Sequence, residues 1–468
     1  MVFASLEFLL LFFPLFLIAY AVSPSKARNT VLLGASWVFY GWWSPIFLLM
    51  LIGLTWLTWV GGLALDAPAA PLRRKRILLA FLITVLAGTL CWFKYANILA
   101  ETVNGVLGRV GAEPLPWERV VLPIGLSFIV LQAISYLVDV WRGTVKAQRS
   151  FIDFAAYKAM FGQLIAGPII RYEWVQHDIT QRRFDWAGFS AGSRRFMVGM
   201  SMKVLVADSL APVADAVFAQ SAPSLADAWI GCGAYTLQLF FDFAGYSAMA
   251  IGIGQMLGFH FPENFNHPYL ARSIQDFWRR WHLSLSSWIR DYLYIPMGGN
   301  RGGTFATYRN LLLTMAIAGL WHGSDSWNFL RWGLAHGMAL CLARAWPQRL
   351  PVPPGLSRLL TLLFVMLAWT LFRAPDMQAA LRMYAGQFGL HGLAMGDTLH
   401  ALLRPGHAVA AVVGVVCVIL PAFRPHWETR HAGTRLAAVI ALWPIPAFLL
   451  SFALIASRGA VPFLYFQF

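Results

Sequence analysis

Long uncharged apolar runs recur along the whole chain, and they restrict it to a fold that is stable in lipid. Of the 468 residues, 59% are hydrophobic and only 12% are charged, whereas a soluble domain carries about a quarter charged residues. A run of about 20 apolar residues is long enough to cross a bilayer as a helix. The pattern predicts an all-α polytopic membrane protein with about ten to twelve transmembrane segments.

The apolar runs also suggest where each segment lies. We expect membrane segments near 3–22, 46–65, 120–141, 196–218, 228–258, 311–324, 327–346, 359–373, 408–423 and 436–456. The run at 228–258 is long enough to tilt or break. The short run at 151–170 suggests a re-entrant or partly inserted helix, which requires protein or a cavity around it. We expect one integral-membrane domain over 1–468, with a cytosolic or interfacial amphipathic region at 260–310.

Basic clusters orient the spans. Arg and Lys follow the segments at 3–22, 46–65 and 120–141, counted as the first, third and fifth spans, as at Lys26, Arg73 and Arg142. All three clusters fall on one side if the N-terminus is periplasmic, as the positive-inside rule requires. The net charge of +15 then reflects topology rather than nucleic-acid binding, and a basic inner face would attract an anionic substrate. Glu7 and the missing basic n-region argue against a cleavable signal.

His322 lies in an uncharged stretch, 311–324. An ionisable residue at membrane depth is costly and marks a candidate functional site, and histidine exchanges protons near neutral pH. The alternative is a buried histidine satisfied by one hydrogen bond, and position alone does not decide. Gly319 and Gly323 would let another helix approach closely. Asp325 favours a break before His336, which we expect to have a supporting role.

A second histidine lies in residues 273–292, which have the pattern of one amphipathic helix. Ser273 and Asp276 form a candidate N-terminal cap. The apolar face comprises Ile274, Phe277, Trp278, Trp281, Leu285, Trp288 and Tyr292. His282 falls at the rim of that face, where a packed wall and a wet cavity would meet. An interfacial helix with tryptophan anchors is the alternative, although it does not account for His282.

Other candidates are less specific. Asp242 lies at apparent membrane depth and needs a partner or a cavity, and Arg171 is one possible partner. We find no phosphate-binding loop, no nucleophile elbow and no metal-ligand cluster. The four cysteines are scattered singly, which predicts neither a disulfide framework nor a zinc site.

Several motifs together resemble one family. They are Met1-Val-Phe, Leu122-Pro-Ile-Gly-Leu-Ser-Phe128, Leu164-Ile-Ala-Gly-Pro-Ile169, Phe241-Asp-Phe-Ala-Gly-Tyr-Ser247, Glu263-Asn-Phe265, Phe277-Trp-Arg-Arg-Trp-His282, Gly298-Gly-Asn-Arg301, Leu320-Trp-His-Gly323 and Pro462-Phe-Leu-Tyr-Phe-Gln-Phe468. With them the chain resembles the membrane-bound O-acyltransferases, in particular the bacterial exopolysaccharide acetyltransferases of the alginate and cellulose type. It departs from them at Ala248, where an aspartate is usual, and at Gly162, where proline is common.

The resemblance implies a fold and a set of site residues. It implies a ring of tilted helices around a central channel in the bacterial inner membrane, with His322 as the catalytic histidine and His282 as its companion. Residues expected to support the site or line the channel are His336, Asp242, Trp321, Trp281 and Arg171. Expected partners are a periplasmic or membrane-tethered acetyltransferase, the polysaccharide synthesis machinery and membrane lipids.

The chemistry implied is acetyl transfer from a cytosolic thioester to a hydroxyl, with acetyl-CoA as donor and no permanently bound cofactor or metal. His322 would act as general base. His282 would orient the acceptor, donate to the oxyanion or hold the thioester, and the sequence leaves these roles open. The donor phosphates would be bound by Arg279, Arg280, Arg290 and Arg301. Alternatively, these arginines only mark the cytosolic side of the membrane.

Three alternatives remain at the level of sequence. The same family includes transfer of D-alanine from a carrier protein and acetylation of peptidoglycan. A lipid or polysaccharide exporter without chemistry is the alternative from another class, and it predicts transport that survives loss of both histidines. The polymer cannot be read from the chain, although the resemblance favours cellulose or alginate.

Overall fold

The computed structural model describes residues 1–165, 167–323, 325–347, 352–422 and 442–464. Within these ranges the chain forms helices joined by turns and contains no β-strand. The all-α prediction is therefore confirmed. The chain divides into two compact units, and the single-domain organisation over 1–468 stays a prediction.

The first unit comprises residues 1–196, 247–262 and 455–462. After a π-helical segment, Glu7–Phe12, its helices are α1 (Phe13–Val22), α2 (Arg28–Gly41), α3 (Pro45–Asp66), α4 (Leu72–Arg109), α5 (Leu126–Arg142), α6 (Phe151–Ala159), α7 (Phe161–Leu164) and α8 (Tyr172–Gln181). The basic cluster that begins at Arg73 opens α4 rather than lying in a loop, because the apolar run of α4 continues directly from it.

The segment expected to be re-entrant is broken into two short helices. α6 and α7 meet at Met160, and neither is long enough to cross a bilayer. The surrounding polar groups are bonded internally: Lys158 donates to the carbonyl of Ile129 at 2.5 Å and Gln163 donates to the carbonyl of Tyr157 at 2.7 Å. Both side chains are fully buried, as expected where irregular backbone at membrane depth is enclosed by protein, while the insertion itself stays a prediction.

The second unit comprises residues 197–246, 263–454 and 463–468. Helix α9 (Trp186–Ser201) leads through a π-helical segment, Met202–Ala207, into α10 (Asp208–Phe218). There follow α11 (Leu225–Met256), α12 (Ile274–Trp278), α13 (Leu283–Ile289), α14 (Gly303–His322), α15 (Asn328–Ala345), α16 (Pro354–Arg373), α17 (Met377–Gln387), α18 (Asp397–Leu402), α19 (Pro405–Ile419) and α20 (Pro444–Arg458).

Five of the described helices are long and apolar enough to cross a membrane. They are Pro45–Asp66, Leu72–Arg109, Trp186–Phe218, Leu225–Met256 and Pro354–Arg373, and three shorter apolar helices are Glu7–Val22, Pro405–Ile419 and Pro444–Arg458. The chain is therefore a multi-pass membrane protein. The count of ten to twelve segments and the ring arrangement stay predictions. Of the run predicted at 436–456, residues 436–441 lie outside the described residues, as does residue 423 of the run at 408–423.

Helix α11 continues unbroken over 32 residues, so the run at 228–258 does not break, and its tilt stays a prediction. The segment 273–292 was expected to form one helix, but it divides into α12, α13 and a π-helical segment, Arg290–Tyr294. Helix α14 begins at Gly303, and the cytosolic or interfacial region at 260–310 stays a prediction.

The hairpin of α14 and α15 is held together by glycines at its interface. A Cβ at Gly319 would lie 2.3 Å from the carbonyl oxygen of Phe329, and one at Gly333 would lie 2.2 Å from that of Met315. The Cα atom of each of these glycines lies 3.0 Å from the position that a Cβ atom on the other glycine would take. Small residues allow such backbone contact, which is a main source of helix association in lipid.

This close contact predicts that Gly333→Ala destabilises the protein by about 1–3 kcal/mol, since the added methyl group meets backbone atoms that cannot move independently. The melting temperature of the purified protein in detergent measures the effect. Gly233→Ala in α11 is the matched control, because nothing lies within 4 Å of its Cβ position and alanine favours a helix. Equal melting temperatures for the two variants would contradict the prediction.

Candidate active site

His322 is the last residue of α14, at the point where the hairpin turns. The helix ends there because Gly323 is extended, with ψ 153°, and α15 begins only at Asn328. A Cβ at Gly323 would lie 1.7 Å from the ring of Phe329, so only glycine fits. The break predicted between His322 and His336 is thus confirmed.

Three aromatic rings surround the imidazole of His322. Ring centroids lie 4.9 Å away for Trp321, 5.3 Å for Trp332 and 5.4 Å for Phe372. The residue is 4% exposed. These contacts fix the ring plane through packing, since aromatic edges and faces meet at defined angles.

His282 lies at the junction between α12 and α13. It adopts a left-handed conformation with φ 45° and ψ 58°, which costs a non-glycine residue on the order of 1–3 kcal/mol. The sequence placed His282 at the rim of a continuous helix, and this was wrong: the helix breaks here and the side chain is fully buried, at 0% exposure. Burial lowers the pKa of His282 to about 3, so the ring is neutral at physiological pH.

One tryptophan contacts both histidines. The ring of Trp321 lies 6.3 Å from that of His282 and 4.9 Å from that of His322. Phe243 packs against the other side of His282 at 4.6 Å. The structure therefore brings together the two histidines that the sequence singled out, with Trp321 between them.

His336 and Trp281 occupy the aromatic core next to this pair. His336 contacts Trp332 at 4.8 Å and Trp278 at 5.2 Å, and it is fully buried. Both of its ring nitrogens lack a hydrogen-bond partner among the described residues. Trp281 lies 5.1 Å from Trp369. Trp332 contacts both His322 and His336 and so links the two residues.

The side chain of Asn264 binds His282. Its Oδ1 lies 3.0 Å from Nδ1 of His282, and it accepts hydrogen bonds from the backbone N–H of Ser284 at 3.3 Å and from its hydroxyl at 2.9 Å. Sequence reasoning quoted Asn264 only as part of a family motif. The motif Glu263-Asn-Phe265 was the one sequence signal for a role of Asn264, which lies 18 residues before His282.

The partner of Asp242 is Lys203, which sequence reasoning also missed. Nζ of Lys203 lies 2.8 Å from Asp242 and 2.5 Å from Asp208, and Asp242 also accepts a hydrogen bond from the backbone N–H of Leu464 at 2.8 Å. Lys203 lies in the π-helical segment, a feature frequent at functional sites. A lone lysine in an apolar run was the signal, because a buried carboxylate requires a cation.

Arg171 belongs to the first unit, and its suggested pairing with Asp242 stays a prediction. It is 7% exposed. Its guanidinium lies 5.0 Å from the ring centroid of Trp174, a cation–π contact that stabilises a desolvated arginine.

The arginines of the amphipathic region divide into two kinds. Arg280 pairs with Asp276 at 2.8 Å, and Arg290 pairs with Asp291 at 2.7 Å. Arg279 and Arg301 are exposed. The predicted cap is present, since Ser273 Oγ accepts a hydrogen bond from the N–H of Asp276 at 3.1 Å. Within the described ranges no group of three or more His, Cys, Asp or Glu is placed to hold a metal ion.

Comparison with known proteins agrees with these features. Residues 12–376 match the membrane-bound O-acyltransferase family. Over the whole of both chains, 42% of residues are identical to a probable alginate O-acetylase from Azotobacter vinelandii. A probable alginate O-acetylase from Pseudomonas aeruginosa is 46% identical, over 83% of this chain and 75% of its own.

A third relative carries a different name. A peptidoglycan O-acetyltransferase from Helicobacter pylori is 34% identical over 83% of this chain and 80% of its own. The family match and the full-length relatives lead to one conclusion: this chain belongs to the membrane-bound O-acyltransferase family and is a multi-pass membrane enzyme that transfers an acyl group to oxygen.

Proposed function

We propose that this enzyme moves an acetyl group from cytosolic acetyl-CoA across the membrane for O-acetylation of an exported polysaccharide of the alginate or cellulose type. The observation that carries the proposal is the pair of buried histidines on Trp321, in a chain 42% identical to an alginate O-acetylase over its full length. The enzyme would lie in the bacterial inner membrane with a periplasmic N-terminus.

His322 acts as the general base in this proposal. It takes the proton of the acceptor hydroxyl while the hydroxyl oxygen attacks the thioester carbonyl carbon, and a tetrahedral oxyanion forms. The oxyanion collapses, the C–S bond breaks, and the imidazolium returns its proton to the leaving thiolate. Position supports this role, because His322 ends a helix and a cation is favoured near the C-terminal end of a helix.

The neighbouring residues support the two histidines. Trp321 holds both rings, while Trp281 and His336 complete the aromatic packing around them. Asp242, paired with Lys203, fixes α11, whose Phe243 packs against His282, and Arg171 is proposed to line the channel. No metal or bound cofactor has a part in the proposed reaction.

Delivery to the polymer requires partners. A periplasmic or membrane-tethered acetyltransferase would receive the acetyl group, beside the polysaccharide synthesis machinery and membrane lipids. The relative named as a peptidoglycan O-acetyltransferase favours peptidoglycan as the second candidate acceptor. Assays with alginate, cellulose and peptidoglycan fragments, each with the cognate partner, separate these acceptors.

His322→Ala is expected to reduce acetyl transfer by at least about 10²–10⁴-fold, the usual contribution of a general base. Transfer of labelled acetyl groups by purified protein measures it, with the melting temperature as the test of folding. His322→Gln tests the same loss with less change in volume. His400→Ala, at an exposed position, is the matched control and should retain the wild-type rate. A folded His322→Ala protein with wild-type transfer would overturn the mechanism.

Labelled acetyl-CoA is expected to be a sufficient donor for the purified enzyme. A D-alanyl transferase that depends on a carrier protein would ignore it, and an exporter without chemistry would release unmodified polymer. Acetylated product in the presence of acetyl-CoA, and none with a D-alanyl carrier, is the expected result. The reverse pattern would assign the chain to D-alanyl transfer.

Donor binding is expected to weaken with ionic strength, because exposed arginines act on phosphates through screened charge. The double variant Arg279→Gln/Arg301→Gln should raise KM for acetyl-CoA and flatten its salt dependence without changing kcat. Arg344→Gln, also exposed but outside the amphipathic region, is the control. Equal KM values in all three proteins would leave these arginines with a topological role only.

A further inference from the structure

Three hydrogen-bonding groups converge on one oxygen beside His282. Oδ1 of Asn264 faces Nδ1 of His282, the backbone N–H of Ser284 and the hydroxyl of Ser284, at 3.0, 3.3 and 2.9 Å. Asn264 is 1% exposed and His282 is fully buried. Because these side chains are buried, their hydrogen-bond donors and acceptors have to match one another.

The backbone of Ser284 determines which amide atom faces the histidine. A backbone N–H can only donate, so the side-chain atom of Asn264 that it meets must be the oxygen and not the NH₂ group. Nδ1 of His282 meets the same oxygen and must therefore carry a proton. A neutral imidazole holds one proton, so its Nε2 carries a lone pair.

Asn264 also holds the backbone around the histidine. Its carbonyl oxygen accepts a hydrogen bond from the N–H of Leu283 at 2.9 Å. The carbonyl of His282 accepts from the N–H of Ser286 at 2.9 Å and so begins α13. One residue thus fixes the left-handed turn at His282 and the orientation of its ring.

The second ring nitrogen of His282, Nε2, is buried and makes no hydrogen bond to a described residue. A buried acceptor without a partner is costly, and a catalytic role is one reason for which a native protein retains such a group.

We propose that Asn264 is a positioning residue that holds His282 as the Nδ1-protonated tautomer, so that Nε2 accepts a hydrogen bond from an O–H or N–H of a bound substrate. The proposal rests on the proposed O-acyltransferase function and deepens it. It excludes one of the roles left open for His282, because an unprotonated Nε2 cannot donate to an oxyanion.

The test is ¹⁵N NMR of histidine-labelled enzyme in detergent or nanodiscs, with the His282 signal assigned by its loss in His282→Gln. The wild type should show a protonated Nδ1 and an unprotonated Nε2. In Asn264→Leu this tautomer should no longer dominate, and kcat should fall by roughly 10²-fold, the loss that misplacement of a substrate-positioning group can cause, with KM for acetyl-CoA unchanged.

Two further variants separate positioning from folding. Asn264→Asp keeps an oxygen acceptor and should retain the tautomer together with most of kcat. Asn266→Leu changes an exposed asparagine of the same loop and should behave as the wild type. If Asn264→Leu does not fold, the wild-type and Asn264→Asp spectra still decide the proposal.

An Nε2-protonated His282 in the wild type, or an unaltered tautomer and kcat in Asn264→Leu, would overturn the proposal. Failure of the proposed function gives a different result: the wild type would show the expected tautomer but transfer no acetyl group. The spectrum needs no substrate, so the two failures can be told apart.

Discussion

The second unit depends on the direct backbone contact between α14 and α15. Gly319 and Gly333 leave no room for a side chain, and this brings the end of α14 against the start of α15. His322 therefore stands at a sharp turn, held by the rings of Trp321 and Trp332. In lipid, where hydrophobic burial does not favour helix association, such close packing supplies the stability that a soluble core would gain from excluding water.

Polar groups inside this packing are satisfied by neighbours distant in sequence. Lys203 lies between Asp208 and Asp242, and Asn264 bonds His282 and Ser284. A buried ion pair contributes little net stability because desolvation offsets the attraction, whereas loss of one member leaves a buried charge that is very costly. These groups therefore specify one arrangement of helices more than they stabilise it. Nε2 of His282 and both ring nitrogens of His336 have no hydrogen-bond partner among the described residues.

Helix positions and the break before His336 could be predicted from the sequence, whereas the turn at His282 and the buried ion pair could not. The apolar run at 46–65 corresponds to helix α3, Pro45–Asp66. The two ranges agree because hydropathy alone sets the length of a lipid-facing helix. The break before His336 followed from polar residues at a turn. The left-handed turn at His282 was not predictable from local pattern, since a bond to Asn264, 18 residues away, maintains it. The Lys203–Asp242 pair was missed for the same reason, although the isolated charges in apolar runs signalled that partners existed.

The two histidines have environments suited to different tasks. Burial lowers the pKa of His282 to about 3, so this ring is a weak base that can accept a hydrogen bond without taking the proton. His322 stands at the C-terminal end of a helix, where carbonyl dipoles favour a positive charge. Under the proposed mechanism the proton of the acceptor hydroxyl moves to His322, while His282 holds a substrate group in place.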